Sequence, residues 1–208
     1  IVDADRQEIS IKDNGTGIKK GQAVKTLLDI GNSSKTHTNN RGFRGIGRLG
    51  GLSYCQKLSF CTSAQNEPEK TIVTFDCAKL KELLVPGRAS EYNLQQVISE
   101  VTEIKILSEQ ASAHYFIVKM EGVDDIDSLL DMGFVRDYIS QVAPVPFRER
   151  FYWGGEIKNE FAQSNLNIAE YSVFVGDSFE SLSQIYKPYK ITMDFSTRSG
   201  VSKDEIQG

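Results

Sequence analysis

The chain has 208 residues, 39% of them hydrophobic, enough to bury a core of ordinary globular size as one domain or as one domain and part of another. Its 24 basic and 28 acidic residues leave a formal net charge of −4, which repels polyanions over most of the surface and makes a nucleic-acid partner less expected. No apolar run approaches the roughly 20 residues that span a bilayer and no charged-then-apolar leader opens the chain, so a soluble, cytoplasmic protein without a membrane partner is expected.

IVDADRQEISIKD reads as two short strands around a polar turn at Asp5 and Arg6, a hairpin that ends on Asp13. NGTGI is a turn by composition, and a helix from about 21 to 30 follows with Val24, Leu27 and Leu28 on one face. Residues 31 to 42 are polar and rich in Gly, Ser and Asn, a loop; Ile46, Leu49 and Leu52 then fit a helix that begins directly out of glycines. KLSFCTS, TIVTFDC, VTEIKIL and HYFIVKMEGV are strand-like, with a charged helical stretch near 79 to 84, and together imply an antiparallel sheet. The run 125 to 144 predicts a helix with Ile126, Leu129, Leu130, Phe134, Tyr138, Ile139 and Val142 near one face, closing a first domain at about residue 150. Beyond it YSVFVG and KITMDFS look like strands of a further unit, 151 to 208, that the sequence only begins. The chain opens on Ile1 and stops at Gly208 with no terminal signal, so both ends read as cut.

Two glycine-rich elements flank the loop. In DNGTGI, Gly15 and Gly17 allow positive φ and close approach of a flat ring, and Asp13 at a strand end can accept a hydrogen bond from an exocyclic amine such as that of adenine. Taken alone, Asp-Asn-Gly is equally an ordinary tight turn. In RGFRGIGRLGG, Gly42, Gly45 and Gly47 precede a helix start, where free backbone N–H groups and the helix dipole attract anions. Between Ile30 and Asn66 there is no Asp or Glu, whereas Lys35, Arg41, Arg44, Arg48 and Lys57 all fall there, a pattern suited to polyphosphate; the bland alternative is a solvated basic loop. The spacing is GxxGxG, neither a P-loop nor a dinucleotide fingerprint. Three cysteines without a CxxC pair (Cys55, Cys61, Cys77) read as reduced, and His37 and His114 show no zinc spacing.

DNGTGI followed by GFRGIG resembles the two nucleotide motifs of the GHKL, or Bergerat-fold, ATPases, the superfamily of ninety-kilodalton heat-shock chaperones, gyrase B subunits, MutL and MORC proteins and histidine kinases. IGNSSK resembles the segment leading into the ATP lid of the chaperone, MORC and MutL branches. The resemblance covers residues 1 to about 150 and implies an α/β two-layer sandwich, helices on one face of a mixed sheet. It implies that Asp13 binds adenine, that Gly15 and Gly17, with Asn14 beside them, lie against the base, and that Ser34 and Lys35 belong to the lid. Gly42, Phe43, Arg44, Gly45, Ile46 and Gly47 would wrap the phosphates of ATP, with Mg²⁺ as its counter-ion.

The family's general-base Glu and Mg²⁺-ligating Asn stand upstream of the Asp-bearing strand; only 12 residues precede Asp13 here, so both are expected ahead of Ile1 and no catalytic residue is visible. The family's late-strand Thr has no match at His114 and Tyr115. Thr102 is the fallback, and is equally an ordinary strand threonine. Relatives bring a lysine or arginine of the next domain to the γ-phosphate, which points to Lys187 or Lys190 in IYKPYK; a solvated strand end is the bland alternative. The resemblance implies an ATP-driven switch of chaperone type with client proteins and a homodimer in the intact protein. A DNA-linked ATPase of MutL or MORC type and a module that binds nucleotide without hydrolysis are the alternatives. The β-rich unit and the absence of a phosphoacceptor helix argue against a sensor kinase. Phe134, Tyr138 and Phe147 are expected in the core, and Trp153 packed near a domain junction.

Overall fold

The computed structural model describes residues 1–29, 47–85, 93–124, 128–166, 169–197 and 200–207, with backbone alone for 47, 48 and 190–207. The contacts divide the chain into two compact units, Ile1–Leu130 and Asp131–Gly208. The helix expected to close the first domain groups with the second unit.

The first unit is built on a six-stranded sheet formed by β1 (Val2–Asp3), β2 (Glu8–Asp13), β3 (Lys57–Ser63), β4 (Glu69–Asp76), β5 (Thr102–Ser108) and β6 (Tyr115–Glu121). Their order across the sheet is β1-β2-β6-β3-β4-β5, and every pairing is antiparallel. The period-2 alternation of the strands sorts the side chains by face. On the inner face one row runs Ile9, Met120, Leu58, Phe75 and Thr102, the next Ile11, Val118, Phe60, Val73 and Ile104, and the last Asp13, Phe116, Thr62, Thr71 and Ile106. Leu58, Phe60, Val73 and Phe75 are buried, each contributing about 1.5–3 kcal/mol of apolar burial, and Phe60 meets Phe75 edge-on with centroids 6.0 Å apart.

The outer face mixes Cys61, Ile72 and Ile117 with a polar set. Ser59 and Thr74 share a hydroxyl hydrogen bond of 3.0 Å, Lys119 pairs with Glu8 at 3.0 Å and Glu121 at 3.2 Å, and Lys105 pairs with Glu103. The helices therefore belong to the inner face, giving the α/β two-layer arrangement. α1 (Lys20–Leu28) packs on β3 and β4 with Ala23 and Leu27, one turn apart, buried. The expected helix after the glycines is a 3-10 segment, Gly47–Ser53. Gly51 explains how closely it sits, since a Cβ there would come within 3.0 Å of Met120 Sδ and 3.1 Å of Leu58 on the inner face.

α2 (Cys77–Leu83) is capped by Asp76, whose side chain accepts from Lys79 N–H, and α3 (Leu94–Val101) by a reciprocal Asn93–Gln96 box. α3 is an element that strand and helix periodicity alone did not suggest. Lys79 Nζ to Glu100, 2.7 Å, joins the two helices.

In the second unit, α4 (Met132–Val142) packs Met132, Val135 and Ile139 against buried Val145, Val175 and Ile185. Phe134, Tyr138 and Val142 lie on the other side of α4 and are exposed, so two of the three aromatics expected in the core are surface residues. Their i, i+4, i+8 spacing is as regular as that of the packed side, which is why periodicity chose the wrong stripe. Phe147 does pack, against Phe151, which in turn stacks on Tyr189; Trp153 is half exposed beside Tyr152. α5 (Gly154–Gln163) ends with Leu166 N–H on Phe161 carbonyl and Asn165 N–H on Ala162 carbonyl, Asn165 taking φ 54°. Short strands β7 (Phe174–Val175) and β8 (Ser183–Gln184) pair, as do β9 (Lys190–Thr197) and β10 (Gly200–Gln207).

One polar brace crosses β4, β5 and β6 near the ends of these strands. Tyr115 Oη donates to Glu109 Oε2 at 2.6 Å, Gln110 N–H to Glu109 Oε1 at 3.0 Å, and Lys70 Nζ to Glu109 Oε2 at 3.2 Å. These bonds, the tyrosine's first, hold the Glu109 carboxyl down at about 2, from an ordinary 4.5; burial first, and then the Glu109 carboxylate, push the Tyr115 phenol above its usual range. Because the carboxyl is depressed in the folded state, its contribution to stability is complete above pH 4.5 and disappears as pH falls through about 2. Urea midpoints measured from pH 5 down to 2 should fall for the natural chain and fall less steeply for Glu109→Gln, and parallel curves would show that the brace carries no stability.

Candidate functional site

β2 ends on the inner face at Asp13, and the chain turns sharply there. Asp13 Oδ1 accepts the Gly15 N–H at 2.8 Å, an Asx turn that leaves the carboxylate exposed with further lone pairs to offer. The turn is then locked down at Gly17, where φ is +67° and a Cβ would lie 1.8 Å from the Ser63 carbonyl oxygen and 3.1 Å from that of Tyr115. No side chain larger than hydrogen fits. Of the two glycines expected to use positive φ, Gly17 does so, while Gly15 keeps ordinary φ and is instead crowded by Asp13 itself, 2.8 Å from its would-be Cβ.

The next residue is anchored as well. Ile18 N–H donates to Thr62 Oγ1 at 2.8 Å, and that hydroxyl donates onward to the Tyr115 carbonyl at 3.1 Å. Thr62 is buried, on the same inner-face row as Asp13 and two strands away from it. His114 closes the turn from the other side, its Nδ1 2.8 Å from the Gly15 carbonyl. At the start of α1, Lys20 N–H donates to Glu67 Oε2 at 2.7 Å and Lys20 Nζ pairs with Glu69, so the hairpin between β3 and β4 holds the helix in place.

Together these elements line a cleft of about 650 Å³ walled by residues 14 to 19, Gln22, Ala64, Gln65, Asn66 and His114. That is within the range of small-ligand sites. The amides of Asn14, Gln22, Gln65 and Asn66 and the imidazole of His114 can both donate to and accept from a heterocyclic base, and the Lys19 ammonium can donate. Asp13 immediately precedes this wall.

The structure thus brings Asp13, Asn14, Gly15 and Gly17 together. Gly47 opens the 3-10 segment; Ser34, Lys35, Gly42, Phe43, Arg44, Gly45 and Ile46 lie outside the described residues. Thr102 is not near them. It is on the edge strand β5, four residues along from the Asp13 row, and its hydroxyl donates to the Ile98 carbonyl at 2.7 Å to finish α3. Lys187 is in the second unit, where Nζ donates to the Gln141 carbonyl. Thr62, His114 and the amides at 65 and 66 were missed by sequence reasoning; the one signal was the inward parity of Leu58, Phe60 and Thr62, which puts a hydroxyl among apolar neighbours. Among the described residues no three His, Cys, Asp or Glu side chains converge on one metal position.

Residues 1–110 match the family described as histidine kinase-, DNA gyrase B- and HSP90-like ATPase, and the chain belongs to it. The family is that of the Bergerat-fold ATPases, and the first unit has its two-layer α/β fold. Among solved structures, the ATPase region of Saccharomyces cerevisiae topoisomerase II is similar at 15% identity over 58% of this chain and 30% of that one, TM-score 0.36. The same region bound to dexrazoxane is similar at 16% identity over 69% and 38%, TM-score 0.43. The chain therefore spans about a third of the length of those structures. No curated protein matches it.

Two substitutions separate the anchors. Gly17→Ala should cost roughly 2–4 kcal/mol in urea unfolding, from the φ penalty and the collision with Ser63. Thr62→Val should cost about 1–3 kcal/mol by orphaning the Ile18 N–H, with the sheet retained by circular dichroism. A neutral Gly17→Ala would contradict the turn geometry.

Proposed function

We propose that the turn from Asp13 to Gly17 and the glycine-rich run 42 to 47 bind ATP, with adenine in the cleft beside residues 14 to 19 and the phosphates at the glycines and basic residues of the acid-free stretch. The observation that supports this most directly is the fit of Gly17 against the Ser63 carbonyl, which fixes the turn after β2, where exposed Asp13 immediately precedes the residues that wall the cleft. An exposed carboxylate held by one backbone N–H keeps acceptor capacity for an exocyclic amine, and the amides match the remaining polar edge of the base. Asn14 and Gly15 flank the base; Ser34 and Lys35 approach the phosphates as part of the lid.

In the intact protein, nucleotide orders the lid and moves the following unit, a conformational switch of heat-shock-ninety type acting on client proteins, with hydrolysis resetting it. A general base and a metal-ligating amide are required for that reset and are assigned to neither Thr102 nor any residue of the cleft. The motif GFRG and the basic stretch favour a second reading, a DNA-linked ATPase of MutL or MORC type; a steep salt-dependent DNA affinity distinguishes it.

Asp13→Asn isolates the base contact, because an amide oxygen still accepts the Gly15 N–H while its amine opposes that of adenine. Titration with a non-hydrolysable ATP analogue should show affinity at least about 100-fold weaker, with an unchanged unfolding midpoint. Undiminished affinity in that variant removes Asp13 from the site.

A further inference from the structure

Behind the 3-10 segment, Cys55 and Cys77 sit with their sulfurs 3.9 Å apart, both fully buried and 22 residues apart in sequence. Cys55 precedes β3 and Cys77 is the first residue of α2; the Cys77 N–H, donating to the Gln56 carbonyl at 2.8 Å, holds the two segments in register. Cys55 Sγ also donates to the Gly51 carbonyl at 3.2 Å, inside the 3-10 segment, and Cys77 Sγ approaches the Phe75 carbonyl at 3.7 Å. The third cysteine, Cys61, is apart from them on the outer face of the sheet, 4.0 Å from Tyr115 Oη.

We propose that Cys55 and Cys77 are a site of reversible oxidation by hydroperoxides, closing to a disulfide that ties the residues just before β3 to the corner between β4 and α2. A disulfide needs about 2.05 Å between sulfurs, so the pair must approach by roughly 1.9 Å from the present 3.9 Å, within the reach of side-chain rotation plus a small backbone shift. The contact between the two sulfurs draws the Cys77 thiol below its ordinary range and, with burial, pushes Cys55 up, so of the pair Cys77 is the sulfur that gives up its proton to attack. The Cys77 thiolate attacks one oxygen of hydrogen peroxide, the O–O bond breaks, and the departing hydroxide takes a proton to leave as water. Cys77 is then a sulfenic acid. The Cys55 sulfur attacks the Cys77 sulfur, the S–O bond breaks, and hydroxide leaves with the Cys55 proton as a second water. Two thiols have lost two electrons and one peroxide has gained them.

Closure withdraws the Cys55 S–H from the Gly51 carbonyl and draws Cys55 toward α2. The segment Gly47–Ser53, which emerges from the glycine-rich run, loses that tie, and nucleotide affinity falls. This consequence rests on the ATP reading of the site; the cross-link does not.

The test is oxidation of the reduced chain with hydrogen peroxide, followed by alkylation, digestion and mass spectrometry, with analogue titration before and after. Expected are a peptide pair joining Cys55 to Cys77 with two hydrogens lost, its disappearance with dithiothreitol, its persistence in Cys61→Ser, and nucleotide affinity about tenfold weaker in the oxidised form and restored on reduction. Cys55 and Cys77 still open to alkylation, Cys77 carried to sulfinic acid without cross-linking, or a linkage through Cys61 would each overturn the proposal. So would equal affinity of the reduced and cross-linked forms. A reduced chain that binds no analogue refutes the ATP site instead, and the linked peptide then decides the oxidation site by itself.

Discussion

A single close approach, the Cα of Gly17 against the carbonyl of Ser63, sets the geometry on which the rest of the site depends. It joins the end of β2 to the end of β3 across the intervening β6, a distance that side chains would otherwise keep open. Once the backbones meet, Ile18 N–H falls within reach of the Thr62 hydroxyl, the Gly15 carbonyl within reach of His114, and α1 begins where Glu67 and Glu69 receive it. Each of these bonds is modest, about 0.5–1.5 kcal/mol net. Their joint effect is on position: the turn that follows Asp13 is restrained, and restraint of that kind lowers the ordering cost a ligand must meet.

Much of the sheet was legible because strands with one polar face announce themselves. KLSFCTS corresponds to β3 residue for residue, and the hairpin ending on Asp13, the β6 strand and the helix after the turn fall within a few residues of the expected bounds. α3 escaped because its only strong signal is a capping pair, Asn93 with Gln96, in a short stretch whose residues also suit a loop. α4 was found, but of the residues expected on its packed face only Ile139 packs, since Phe134, Tyr138 and Val142 also repeat at helical spacing and sequence contains no record of which face another element covers.

The site divides along the same line. Motif residues carry backbone demands, such as a turn that only glycine can make, and such demands are local. Thr62 and His114 act across sheet neighbours that are 44 and 99 residues away from their partners in sequence, so their roles depend on strand order, and strand order is a property of the whole sheet. Thr102 illustrates the converse: a threonine on the right kind of strand, beside the wrong neighbours.

The outer face of the sheet has a further consequence. Its lysines and glutamates, paired along and across the strands, are costly to desolvate, which sets this part of the outer face apart from the apolar inner one. Ser59, Thr74 and Glu103 mark a flat, chemically addressable plane on which a fluorophore or spin label would report tumbling and distance while remaining on the opposite side of the sheet from Asp13.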